Sequence, residues 1–112
     1  DFGFSGNGAA GFELDHVDPA LDNGLDITIL AQSFGDSFML VPEEQLTHLT
    51  NLSGDSEAQA KRADMVYAKT PSGGEVFAVG SITFCGSLPW NKFDNNVSRL
   101  LRNVVNRFVG AS

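Results

Sequence analysis

GGEVFAVGSITFCGSLPWNKFDNNVSRLLRNVVNRF, Gly73 to Phe108, changes its hydrophobic pattern once along its length. From Val76 to Cys85 almost nothing is polar, and Val76, Phe77, Val79, Ile82 and Phe84 are strand formers. A strand apolar on both sides is one covered on both faces, so this run predicts an interior strand of a layered sheet. From Val97 the apolar residues fall at Val97, Leu100, Leu101, Val104, Val105 and Phe108, which is one stripe of an α-helix. Between the two, Ser87 to Asn96 reads as a tight polar loop. Asp94 or Asn95 at its end can accept the first free backbone N–H groups as N-cap. Gly110 sits where a C-terminal stop is expected. Arg99, Arg102 and Arg107 take the other helix face, and Arg107 near the end suits the helix dipole.

Upstream, Ala63 to Thr70 alternates: Met65, Tyr67 and Lys69 share one side, Val66 and Ala68 the other. Pro71-Ser72-Gly73-Gly74 supplies proline at an early turn position and glycine for positive φ. The pattern predicts an antiparallel hairpin joining this strand to Glu75 onward. Leu25 to Phe34 predicts another strand, with Ile27, Ile29 and Ala31 alternating against Asp26, Thr28 and Leu30. Phe38 to Val41 is a short apolar piece stopped by Pro42, Glu43 to His48 a short helix, and Ser53 to Arg62 a polar loop. His48 reads as a surface or satisfied histidine. The predicted fold is therefore α/β, a mixed sheet with an antiparallel hairpin at about 63–70 and 75–85 and a C-terminal amphipathic helix at about 95–109.

The amino-terminal stretch is rich in glycine, and GNGAAG at Gly6 to Gly11 has the formal spacing G-x-G-x-x-G. That spacing binds dinucleotides only after a strand and before a helix. Asp1-Phe2-Gly3-Phe4 is too short and glycine-rich to be the strand, so nucleotide binding is set aside. Ala9 to His16 is compatible with one or two helical turns, on which Glu13 and His16 share a face. Glu13, Asp15, His16 and Asp18 form the one dense ionisable group. A solvated acidic turn is the plain reading, with Asp18 capping the segment that Pro19 begins. A metal site is possible by ligand type, but the spacing matches no zinc or calcium loop. Pro19 to Gly24 predicts a turn with an Asn-Gly stop.

At 112 residues the chain is one domain or part of one, able to bury roughly two-thirds of its unfolded surface. Its net charge is −7, and nucleic-acid contact needs clustered Lys and Arg, so a nucleic-acid surface is not expected. Lys61-Arg62 is read as solvated or ion-paired surface. Cys85 is the only cysteine, which leaves no internal disulfide, and its place in an apolar run predicts a buried inert thiol. No apolar run approaches the roughly 20 residues of a membrane helix. DFGFSGNG lacks the features of a signal peptide, and a soluble, cytoplasmic protein is expected. The residues show no complete catalytic constellation of their own.

GGEVFAVGSITFCGSLPWNKFDNNVSRLLRNVVNRF, together with GAAGFELD at Gly8 to Asp15, resembles the C-terminal end of the large subunit of N,N-dimethylformamidase and its relatives. The resemblance spans most of the chain. It implies the end of a domain similar to class I glutamine amidotransferases, in a subunit several times longer. It implies a part in an iron-dependent amidohydrolase of large and small subunits, which cleaves N,N-dimethylformamide to dimethylamine and formate. The partners implied are the remainder of the large subunit, a small subunit and a small amide substrate. The family's iron is held by two tyrosines and a glutamate, and Tyr67 does not lie in the matching motif. The iron ligands are therefore expected outside this chain. The residue carried over is Glu13, which in relatives resembles an active-site carboxylate beside a histidine from an earlier part of the subunit. Phe77, Phe84 and Trp90 could line an apolar pocket, although ordinary core packing is the favoured reading of them. The alternative is a non-catalytic scaffold or assembly module, in which Glu13 points into solvent.

Overall fold

The computed structural model describes residues 8–11, 13–21, 24–34 and 61–110. Three strands form one sheet in the order β1 (Asp26–Phe34), β2 (Arg62–Lys69) and β3 (Glu75–Ala78). Two α-helices come after them, α1 (Thr83–Ser87) and α2 (Asn96–Phe108), with a 3-10 turn at Trp90–Phe93 between. The expectations for Phe38 to Val41, Glu43 to His48 and Ser53 to Ala60 lie outside the described residues, as does that for the first seven.

Both strand pairings are antiparallel, so the described residues form an antiparallel rather than a mixed sheet. β2 is the central strand, with Ala63, Asp64, Met65 and Ala68 buried. Met65, Tyr67 and Lys69 share one face, as their alternation predicted. β1 pairs Thr28 with Tyr67 and Ala31 with Met65, and a bulge between Ile29 and Ala31 resets its phase. The turn closes as expected: Gly73 has φ of 89°, and Thr70 N–H donates to the Gly74 carbonyl.

The interior strand expected over Val76 to Cys85 is corrected on two counts. β3 stops at Ala78, and it is an edge strand with Val76 46% exposed. The chain turns at Gly80, whose φ is +70°. A β-carbon there would sit 2.3 Å from the Asp64 carbonyl oxygen, so the backbone of β2 occupies the line a longer strand would take. Thr83 to Ser87 then coils into α1. Phe84 enters the core, and Cys85, one residue on, faces out. The thiol is exposed, not buried as its neighbours suggested.

The core is Met65, Phe84 and Val97, ringed by Ala31, Phe77, Val79, Leu88, Leu100 and Leu101. Phe77 and Phe84 meet edge to face with centroids 6.2 Å apart, which assigns both to packing rather than to a pocket. Trp90 lies at the surface, 37% exposed. Val97 is fully buried, a gain of roughly 1.5–3 kcal/mol, and it locks the start of α2 on the sheet.

α2 forms where its stripe predicted. Asn95 is the N-cap: its Oδ1 accepts the Ser98 N–H at 2.9 Å, while its Nδ2 donates to the carbonyls of Leu88 and Trp90. Gly110 ends the helix at φ of 68°, donating to the Arg107 carbonyl. The expected polar loop before it carries three consecutive left-handed residues, Asn91, Lys92 and Phe93. On the opposite sheet face Ile29, Phe34 and Val76 are exposed, with Ile27 and Val66 half-buried between them.

Candidate functional site

The segment carrying Glu13 is not helical. It runs over the turn at Gly80 and the side of β2, and backbone bonds hold it there. Gly11 N–H donates to Ser81 Oγ at 3.2 Å. Asp15 N–H donates to the Gly80 carbonyl at 2.9 Å, and Asp64 N–H to the Asp15 carbonyl at 2.9 Å. A helix would give the Asp15 N–H to the Gly11 carbonyl, and here that N–H goes to Gly80 instead. Glu13 and His16 therefore share no helix face.

Glu13 is exposed and has φ of 53°. A left-handed φ costs a residue with a β-carbon roughly 1–2 kcal/mol, because the β-carbon crowds the following carbonyl. Asp15, two residues on, is held at both its backbone groups.

Asp64 lies beneath this segment with its side chain fully buried. Its Oδ2 accepts the Val17 N–H at 2.9 Å and pairs with Arg62 at 3.2 Å. Its Oδ1 accepts from Gln32 Nε2 at 3.0 Å. Arg62 also donates to the Val17 carbonyl at 2.8 Å, so Val17 is held at both its backbone groups. Asp18 does cap the turn that Pro19 begins: its Oδ1 accepts the Ala20 N–H at 2.8 Å. Sequence reasoning passed over Asp64. The available signal was a carboxylate at a register position flanked by apolar residues, which demands partners.

A second polar cluster joins the hairpin to α2. The Tyr67 hydroxyl donates to Glu75, and Arg107 Nε donates to the Tyr67 oxygen at 2.7 Å. Arg107 also pairs with Glu75 at 3.1 Å and places its guanidinium 4.9 Å from the Tyr67 ring centre. Arg107 thus does more than complement the helix dipole. Burial raises the Tyr67 phenol above its ordinary pKa, and the bond to Glu75 adds to that. The Tyr67 hydrogen bond holds the Glu75 carboxyl below the usual range, helped by Arg107. The cluster borders an open groove of about 520 Å³ between β1, β2 and α2, lined by Thr28, Leu30, Lys69 and Val104 among others.

Among the described residues no three His, Cys, Asp or Glu side chains converge as a metal-holding set. Tyr67, the chain's only tyrosine, already uses its hydroxyl on Glu75 and Arg107. The described residues do not fit an iron site. No helix among them is long and apolar enough to cross a membrane.

The family model for the C-terminal part of N,N-dimethylformamidase beta subunit-like proteins matches residues 1–97. The N,N-dimethylformamidase beta subunit of Alcaligenes sp is 40% identical over 111 residues, covering 97% of this chain and 14% of that protein. The beta subunit of Paracoccus aminophilus is 39% identical over 111 residues, with the same coverage. The chain thus spans about one-seventh of the length of the relatives it matches. With a family match over most of its residues and this identity along nearly its whole length, the chain belongs to the N,N-dimethylformamidase beta subunit-like C-terminal family.

Proposed function

We propose that this chain is the C-terminal part of an amidohydrolase subunit of the dimethylformamidase type, the large subunit of a two-subunit, cytoplasmic enzyme. The reaction is hydrolysis of N,N-dimethylformamide or a similar N-substituted formamide: water adds to the carbonyl, the C–N bond breaks, and amine and formate leave. The observation that carries this reading is the 40% identity across 97% of the chain to a dimethylformamidase beta subunit. The iron of the complete enzyme is held by residues elsewhere in the subunit. The domain completes an amidotransferase-like fold, and the remainder of the subunit covers the bare sheet face of Ile29, Phe34 and Val76. The 14% share of the relatives' length makes that polypeptide the natural occupant.

Glu13 is the residue of this chain that serves the chemistry. Its carboxylate orients a histidine from an earlier part of the subunit and raises that imidazole's basicity for proton transfer. Its exposure supports this, because it leaves the carboxylate open to a group from the remainder of the subunit, and its positive φ is a strain that function can retain. The test is formamide hydrolysis by the complete enzyme carrying Glu13→Gln, with bound iron measured in the same sample. Turnover falls by two or more orders of magnitude while iron stays bound. Unchanged turnover makes the chain a scaffold and the GAAGFELD segment a structural turn.

A further inference from the structure

We infer that Asp64 is the positioning residue for Glu13, acting through the backbone between Glu13 and Val17. The inference rests on the proposed role of Glu13 and extends it to a residue that touches neither substrate nor the proton in flight.

Among the described residues, two of the buried carboxylate's three contacts go to groups that hold Val17. Its Oδ2 takes both a backbone N–H, that of Val17, and the Arg62 guanidinium, and the same Arg62 returns to the Val17 carbonyl. The Asp64 backbone N–H donates to the Asp15 carbonyl. The Asp15 N–H donates to the carbonyl of Gly80, a residue that lies against the Asp64 backbone closely enough to exclude a β-carbon. One residue of the central strand therefore fixes the chain two and four residues beyond Glu13. Ser81, next to Gly80, fixes Gly11 on the other side. Held at Asp15 and Val17, the chain presents Glu13 exposed and at a φ of 53°. Without the buried anchor the segment can relax to ordinary φ and the carboxylate swings away. A misplacement of about 1 Å in a catalytic group costs on the order of 100-fold in rate.

The experiment is a double-mutant cycle in the complete enzyme, with formate release from N,N-dimethylformamide as readout and rates normalised to folded, iron-loaded protein. Asp64→Asn lowers kcat about 10- to 100-fold with little change in KM. In the Glu13→Gln background, the same Asp64→Asn substitution costs less than about threefold, because its effect runs through Glu13. Arg62→Met, which removes one arm of the anchor and leaves the carboxylate, repeats the pattern at smaller amplitude and serves if Asp64→Asn does not fold. Equal losses in both backgrounds, or no loss from Asp64→Asn where Glu13→Gln is crippled, overturn the positioning role while leaving the Glu13 reading intact. No loss from Glu13→Gln itself overturns that reading, and the inference with it.

Discussion

At the scale of single residues, two backbone positions shape the site. Gly80 combines a φ of +70° with a β-carbon position 2.3 Å from the Asp64 carbonyl oxygen. Gly80→Ala meets both the left-handed penalty and a clash with backbone that cannot rotate aside, and costs about 3 kcal/mol. Urea denaturation checks this; a loss under about 1 kcal/mol shows that the two strands can part at that point. Glu13 makes the opposite case. Glu13→Gly relieves its left-handed φ and loses some backbone entropy, for a net gain of roughly 0.5–1 kcal/mol. The substitution thus raises stability while removing the carboxylate, the signature of strain kept for function. A lower urea midpoint for Glu13→Gly excludes strain at this position. The type of residue at Glu13 was legible in the sequence, but its conformation was not, because the chain beside it is bonded to residues 64 and 80, far away in sequence.

Among the elements, α2 was the most legible and β3 the least. The α2 stripe from Val97 to Phe108 is a local pattern, its Asn95 cap precedes it directly, and Gly110 ends it, so all its signals are contiguous. Asn95 has a wider role than a cap. It is 7% exposed and also ties the carbonyls of Leu88 and Trp90, holding the left-handed turn to the helix. Asn95→Ala leaves those groups without their partner and costs about 2–3 kcal/mol, above an ordinary cap. Asn95→Asp keeps the bond to Ser98 but loses both donors, so thermal midpoints of the two variants separate the cap from the tie. If the two midpoints equal that of the parent, the tie contributes nothing. The Val76 to Cys85 run misled because a short apolar run fits a strand or a buried helix equally. α1 won because coiling at Thr83 sets Phe84 against Met65 and Val97.

For the whole molecule, the contact between hairpin and helix has a pH dependence whose sign is set by Glu75. Its carboxyl is held below the ordinary value of 4.5, chiefly by the Tyr67 hydroxyl, so the charged form is favoured by folding. Its contribution is complete above pH 4.5 and is lost as pH falls below that value. Tyr67 has the reverse sign: with its phenol raised above 10.0, its share is present below pH 10 and lost as pH climbs past it. Arg107 is half exposed, so salt screens the pair and the effect is modest. Thermal midpoints between pH 3 and 6 decline more steeply for the parent than for Glu75→Gln. Parallel curves for the two proteins mean that Glu75 is not the group responsible.

The sequence by itself determined the hairpin, the β1 strand, the α2 helix with its cap and stop, and membership of the family, because each is carried by contiguous residues or by a long match. Only the tertiary structure decided that β2 is central and β3 short, that Cys85 faces out, and that Asp64 anchors the segment bearing Glu13. Those outcomes depend on groups that meet from distant parts of the chain, as Gly80 does with Asp64, Phe84 with Met65, and Val17 with Asp64. Hydrogen bonds of that range satisfy groups that local propensity would pair differently, and no window of sequence contains both partners.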